Sequence, residues 1–242
     1  METQRLDKIL VSRGFGSRRD VQKLIRQGAV TLNGEVCRLP ETKADPKSDR
    51  LEVRGQAVGA DEYIYIMMNK PAGVVSATED KRDRTVLDLL PPELRRPGLF
   101  PAGRLDKDTE GLLIITNDGE LAHRMLSPKK HVEKRYLATL DKPVTPEMID
   151  AFGRGIVFAD GTKCMPARLK AAENAQYNVA EVSIFEGKFH QVKKMFSVCG
   201  CKVVHLQRIS VGSLYLDGNL PIGSCKLLTK LDIDAVFIGN IH

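Results

Sequence analysis

The feature that most restricts this chain is a junction. The polar run Gly103-Arg104-Leu105-Asp106-Lys107-Asp108-Thr109-Glu110-Gly111 passes directly into the apolar run Leu112 to Thr116. A short apolar run bounded by glycine predicts a buried strand. The loop before it concentrates three acids, two bases and two flanking glycines. Loops held by rigid strands are common sites of chemistry. A second β-prone run, Tyr63 to Met68, ends at Asn69-Lys70-Pro71-Ala72-Gly73, where proline and glycine force a turn.

The N-terminal segment has a different texture. Leu6, Ile9 and Leu10 have helical spacing, and Ser17 with Asp20 three positions later signals the start of a second helix carrying Val21, Leu24 and Ile25. On that helix Arg19, Lys23 and Arg26 recur at intervals of four and three, so they share one face. Asn33-Gly34 between Ala29-Val30-Thr31-Leu32 and Glu35-Val36 predicts a hairpin, because that pair accepts the positive φ angles of a tight turn. Residues 57–62, within the glycine-containing stretch Gly55 to Glu62, are expected to be a linker. The expected division is therefore 1–56, the linker, and 63–242.

Charge and cysteine usage narrow the classes of function. The chain of 242 residues carries 37 Lys and Arg against 31 Asp and Glu, a net +6, and residues 1–60 hold 12 basic and 8 acidic groups. A basic balance favours polyanionic partners. Five cysteines are an odd count without a regular framework, and Cys199-Gly200-Cys201 differs from zinc-ligand spacings. The cysteines are expected in the core or in strands, with no disulfides and no metal. No stretch approaches the roughly 20 apolar residues of a membrane helix, and no secretory signal opens the chain, so a cytosolic protein without membrane contact is expected.

Three readings compete for the Gly103 to Gly111 loop. Calcium binding would use Asp106, Asp108 and Gly111, but Glu110 and Asn117 are wrong at two ligand positions and Leu112 onward reads as strand. A plain surface turn is the commonest fate of such a loop. The third reading is catalytic: in an extended segment Arg104 and Asp106 lie on one side, and the guanidinium favours the charged carboxylate that a nucleophile needs.

Further segments decide between them. Gly103-Arg104-Leu105-Asp106 with Thr109 and Gly111-Leu112 resembles the signature loop of the pseudouridine synthases, specifically the ribosomal small-subunit pseudouridine synthase A family. Asn69-Lys70-Pro71-Ala72-Gly73, Glu133-Lys134-Arg135-Tyr136, and Glu186-Gly187-Lys188-Phe189-His190-Gln191-Val192-Lys193-Lys194-Met195-Phe196 match in the expected order. Residues 4–56 resemble the small RNA-binding domain named for ribosomal protein S-four. The resemblance implies an α+β fold: a small αα-β RNA-binding domain, then a catalytic domain with a mixed, mainly antiparallel sheet.

It also implies roles. Asp106 matches the catalytic aspartate, Arg104 its ion-pair partner, Tyr136 the active-site tyrosine, Lys193 the basic residue of the last motif, and Ile184 an apolar platform. Lys70, His190, Gln191 and Arg208 are expected at the substrate. Arg5, Lys8, Arg18, Arg19, Lys23 and Arg26 are expected on RNA phosphates. Lys188 to Cys199 is expected as a helix with Val192, Met195 and Phe196 on its apolar face.

The implied reaction isomerises a uridine of ribosomal RNA, without a cofactor, in a monomeric enzyme acting on small-subunit RNA or its assembly intermediate. Two other classes use the same residues. A non-catalytic RNA-binding or ribosome-assembly factor would bind RNA without releasing tritium from ring carbon five. A glycoside or nucleoside hydrolase would need a second carboxylate and water. The same enzyme acting on large-subunit RNA is the alternative target.

Overall fold

The structure, a computed structural model, describes residues 3–46, 48–58, 63–127, 130–172 and 178–238. Its N-terminal elements are β1 (Gln4–Arg5), α1 (Leu6–Ser12), α2 (Arg18–Arg26), β2 (Val30–Leu32), β3 (Glu35–Cys37), β4 (Lys43–Ala44), β5 (Leu51–Val53) and β6 (Gln56–Ala57). Local chemistry explains most of them. Ser17 and Asp20 close a reciprocal capping box at the start of α2, satisfying two backbone donors that a helix otherwise leaves open. Asn33 and Gly34 both take positive φ, 56° and 89°, and turn β2 into β3.

Leu6, Ile9, Leu10, Val21, Ile25, Val30, Leu51 and Val53 form one small core. Asp7 lies fully buried beside it, taking hydrogen bonds from Arg5 Nε at 3.0 Å, Gln22 Nε2 at 3.1 Å and Arg18 Nε at 3.4 Å. The Arg5 hydrogen bond, working against burial, holds the Asp7 carboxyl well below the usual carboxylate range. Ordered structure runs into the stretch expected as linker, since Ala57 pairs in β6 and Val58 joins the core. Residues 59–62 of that expected linker lie outside the described residues.

The second part contains β7 (Tyr65–Lys70), β8 (Phe100–Pro101), β9 (Glu110–Thr116), α3 (Gly119–Leu126), β10 (Lys134–Leu140), α4 (Pro146–Arg154), β11 (Arg168–Ala171), β12 (Val179–Ile184), α5 (Gln191–Val198), β13 (Val203–Val211), β14 (Leu214–Tyr215), β15 (Cys225–Leu227) and α6 (Lys230–Ala235). The strands form one sheet in the order β11-β12-β10-β13-β9-β7-β15, with β14 on β13 and β8 on β9. Among the described residues β13 and β9 run parallel and the other pairs antiparallel. This is the mixed, mainly antiparallel α+β fold expected.

Strands β7 and β9 are buried on both faces, which is why they read as apolar runs. Ile66, Met68, Leu113 and Ile115 share one core with Ala138, Val182, Phe152 of α4 and Phe196 of α5. Met67, Leu112 and Ile114 share the other with Leu121 and Met125 of α3 and Ile233 of α6. The Phe152 and Phe196 rings pack tilted at 4.9 Å, which seats α5 against the sheet.

At the parallel join, Gly111 has φ 100°, and a Cβ there would lie 2.3 Å from the Arg208 carbonyl oxygen. Only glycine fits where the signature loop enters β9. One expectation needs correction: α5 begins at Gln191 rather than Lys188. His190 sits in the left-handed region (φ 53°, ψ 34°) and the Gln191 side chain accepts the Lys188 N–H at 2.9 Å, so Lys188 to His190 form a loop.

Candidate active site

The signature loop is tied down from below. Lys70, at the end of β7, has no exposed surface, and its ammonium donates to the carbonyl oxygens of Thr109 (2.8 Å), Pro71 (2.9 Å), Asp106 (3.1 Å) and Lys107 (3.3 Å). Burial lowers its pKa to about 8. Ser76 adds two bonds, donating to Leu105 O at 2.9 Å and accepting from Leu105 N at 3.1 Å. Gly73 N donates to Lys107 O at 2.7 Å, and Thr109 N to Asp106 O at 3.1 Å. The backbone on either side of Asp106 is therefore held at fixed points. Lys70, expected at the substrate, instead spends its charge on the loop.

Above the loop lies an open cleft of roughly 420 Å³, including its solvent mouth, walled among others by Asp106, Tyr136, Ile184, His190, Lys193 and Leu206. The signature loop and four other elements, β10, β12, β13 and α5, supply them. Tyr136 of β10 and Ile184 of β12 project from one face of the sheet, since Tyr136 pairs with Val182 and Lys134 with Ile184 in register. Leu206 on β13 continues that apolar wall, and α5 brings Lys193 across to the loop. The Tyr136 hydroxyl makes no hydrogen bond among the described residues.

The carboxylate partner is not the one expected. Lys193 Nζ lies 3.0 Å from Asp106 Oδ2 and 2.5 Å from Asp108 Oδ1, while His190 Nε2 lies 3.6 Å from Asp106 Oδ1. Arg104 forms no salt bridge among the described residues; it is exposed at the cleft edge. The chain turns through Lys107 and Asp108, with Thr109 N closing on Asp106 O, and there both carboxylates meet Lys193 of α5 rather than Arg104. Burial opposes the Lys193 charge, yet its bonds to Asp108 and Asp106 outweigh this and raise its pKa above the usual lysine value. The same contact lowers Asp108.

Two further residues expected at the substrate have other work. Gln191 is buried, accepting from Lys188 N and donating to Glu186 Oε1 at 2.9 Å each, so its amide locks the loop before α5. Arg208 is buried too, with Nε donating to Leu112 O at 2.8 Å across the parallel join. Sequence reasoning also missed the roles of Asp7, which gathers Arg5 with Arg18 and Gln22 of α2, of Ser76, which holds Leu105, and of Glu186, which accepts from Met165 N and Gln191 Nε2.

In the N-terminal part Lys8, Arg18, Arg19, Lys23 and Arg26 are exposed, and Arg5 is half-exposed with its guanidinium committed to Asp7. Cys164 and Cys201 are buried, and Cys37, Cys199 and Cys225 partly so; all five are free. Among the described residues no group of His, Cys, Asp and Glu is arranged to hold a metal ion, and no helix is long and apolar enough to cross a membrane. The site thus offers a carboxylate paired with the Lys193 ammonium, beside an apolar wall that includes a phenol.

A family model described as RNA pseudouridylate synthase matches residues 64–198, and an S4 domain model matches residues 4–50. The uncharacterized RNA pseudouridine synthase YtzG of Bacillus subtilis (strain 168) is 46% identical over 95% of this chain and 96% of its own. Ribosomal small subunit pseudouridine synthase A of Vibrio parahaemolyticus is 38% identical over 96% and 99%. Ribosomal large subunit pseudouridine synthase B of Bacillus subtilis is 36% identical over 95% and 94%. A crystal structure of a pseudouridylate synthase, 35% identical, superposes with a TM-score of 0.67 over 96% of this chain and 99% of that one.

Proposed function

Because the chain belongs to the RNA pseudouridylate synthase family and carries an S4 domain, we propose that it isomerises one uridine of small-subunit ribosomal RNA to pseudouridine, with Asp106 as the catalytic carboxylate. The observation that carries this reading is the setting of Asp106. It stands on a loop pinned by Lys70 and Ser76, faces Lys193 at 3.0 Å, and shares its cleft with Tyr136 and Ile184.

Pseudouridylation breaks the bond between ribose C1′ and uracil N1, turns the base and joins C1′ to ring carbon five, after which that carbon loses its proton and N1 gains one. Atoms and electrons balance within the nucleotide, so the reaction consumes no redox partner or water. The Asp106 carboxylate assists departure of the base, dividing a hard step into easier ones. The detached uracil lies against the Tyr136 ring and Ile184, which keep out water that would hydrolyse the intermediate. The Tyr136 hydroxyl accepts or relays the departing proton. Lys193 steadies Asp106 as its counter-ion.

Bringing a uridine into such a cleft costs a few kcal/mol of unstacking. Phosphate contacts from Lys8, Arg18, Arg19, Lys23 and Arg26 offset that cost without reading sequence. The enzyme acts as a cytoplasmic monomer in ribosome biogenesis, on the RNA or an assembly intermediate.

The version of the last motif from His190 to Met195 favours the small subunit. The 36% identity to a synthase named for the large subunit supports the second target. Mapping pseudouridines in both ribosomal RNAs, from cells with and without the protein, decides between them. Asp106→Asn is expected to abolish tritium release from uridine labelled at ring carbon five while keeping RNA affinity; normal turnover by this variant would overturn the assignment.

A further inference from the structure

The loop before α5 holds an arrangement that the reaction itself does not require. Phe189 is 71% exposed, so the chain forgoes the stabilisation that burying a phenyl group contributes. Scattered exposed apolar residues are ordinary, but this one is organised. Its ring stacks on the His190 imidazole with centroids 3.8 Å apart and planes 19° from parallel.

His190 does this from the left-handed backbone region, at φ 53°, which is strained for a residue with a side chain. It occupies the N-cap position of α5, where its side chain makes no cap bond. The strain therefore brings the helix no cap. It does carry the imidazole to 3.6 Å from Asp106 Oδ1, and so places the aromatic pair at the lip of the cleft.

Charge surrounds the pair. Lys194 Nζ lies 5.2 Å from the Phe189 ring and 5.4 Å from the Phe158 ring, within reach of the phosphate of a nucleotide arriving at the lip. Lys188 and Lys193 flank the same loop. A uridine drawn out of its stack toward Asp106 leaves its neighbour without a stacking partner. An aromatic surface in a basic setting is the usual physical answer, because every base has a π face and stacking tolerates any sequence.

We infer that Phe189 and His190 form a stacking platform for the unpaired nucleobase adjacent to the uridine held in the cleft. The inference rests on the reading that RNA enters this cleft, and it adds the placement of a second nucleotide. Phe189 is a positioning residue, and what it recognises is a base of any identity on one side of the target.

The test is a cycle of binding measurements on the full chain with a synthetic RNA hairpin bearing a uridine in its loop. The hairpin is made intact, or with an abasic site 5′ or 3′ of the uridine. Phe189→Ala is expected to weaken binding of the intact hairpin about tenfold, the scale of one base stacked on an aromatic ring. Phe189→Trp should preserve affinity and Phe189→Leu should lose it.

On one side of the uridine, the abasic site should weaken wild type equally and add nothing to Phe189→Ala. A 2-aminopurine at that position should be quenched by wild type and not by Phe189→Ala. Additive losses on both sides, or affinity retained by Phe189→Leu, would overturn the platform. Tritium release by wild type is read separately. If it is absent while the coupling holds, the platform stands and the isomerase reading falls; if it is present without coupling, the platform alone falls.

Discussion

Replacing Lys70 with methionine removes a charge that never meets solvent, and its effect should appear in the reaction rate. Methionine keeps the volume of the side chain and loses the donor to four carbonyl oxygens at 2.8 to 3.3 Å. A hydrogen bond from a charged donor contributes about 1.5 to 3 kcal/mol, and a buried acceptor left alone costs about 1 to 3 kcal/mol. Relief from burying the ammonium returns part of this. The net loosening is about 3 to 5 kcal/mol, concentrated on residues 105–109. A displacement of about 1 Å at a reacting group costs roughly 100-fold in rate, so Lys70→Met should lose at least that in tritium release. Hydrogen exchange should speed up at the Gly73 and Thr109 amides, which bond into the loop. A variant with wild-type rate and unchanged amide protection would refute the reasoning.

The same residue gives a pH signature. Burial lowers Lys70 to about 8 from the usual 10.5, so the unfolded chain binds more protons there than the folded one. The cost of burying the charge is then present in full below about pH 8 and is relieved as pH rises toward 10.5. The neutral amine, however, has two N–H groups for four carbonyls. Activity should therefore fall as pH passes above about 8, with no matching fall in the denaturation midpoint. Lys193, with its raised pKa, keeps its charge through that window.

Two predictions concern the N-terminal part. Asp7→Asn should cost about 2 kcal/mol at neutral pH, below the 3 to 5 typical of a broken buried pair, because Arg5 and Arg18 remain partly exposed. Since the folded-state pKa of Asp7 is depressed, its contribution is complete above the ordinary carboxylate value of 3.8 and lost as pH falls below it. Denaturant titrations from pH 7 to 3 should show a steeper acid loss in wild type than in the variant; equal slopes would contradict this. Neutralising Arg19, Lys23 and Arg26 together should flatten the dependence of log affinity on log salt by up to about 3 units, and an unchanged slope would remove the RNA-facing role of that stripe.

Much of the fold was legible because its signals are local. The Ser17 and Asp20 capping box, the Asn33-Gly34 turn and the apolar run of β9 each need only a few neighbouring residues to act. The order of the motifs likewise pointed to the family, since such motifs are short contiguous segments. The start of α5 was misjudged for a local reason too. Helical periodicity continues back through Lys188, and nothing in the pattern reveals that the Gln191 amide captures the Lys188 N–H.

Sequence alone thus determined α1, α2, the β2–β3 turn and the strands β7 and β9, because backbone preference and side-chain alternation act over a few residues. Folding alone decided who meets whom. The counter-ion of Asp106 comes from 87 residues further on instead of two residues back, and the ammonium of Lys70 crosses 36 to 39 residues to the loop it secures. Such pairings depend on how strands and helices stack in space, and spacing along the chain carries no record of that.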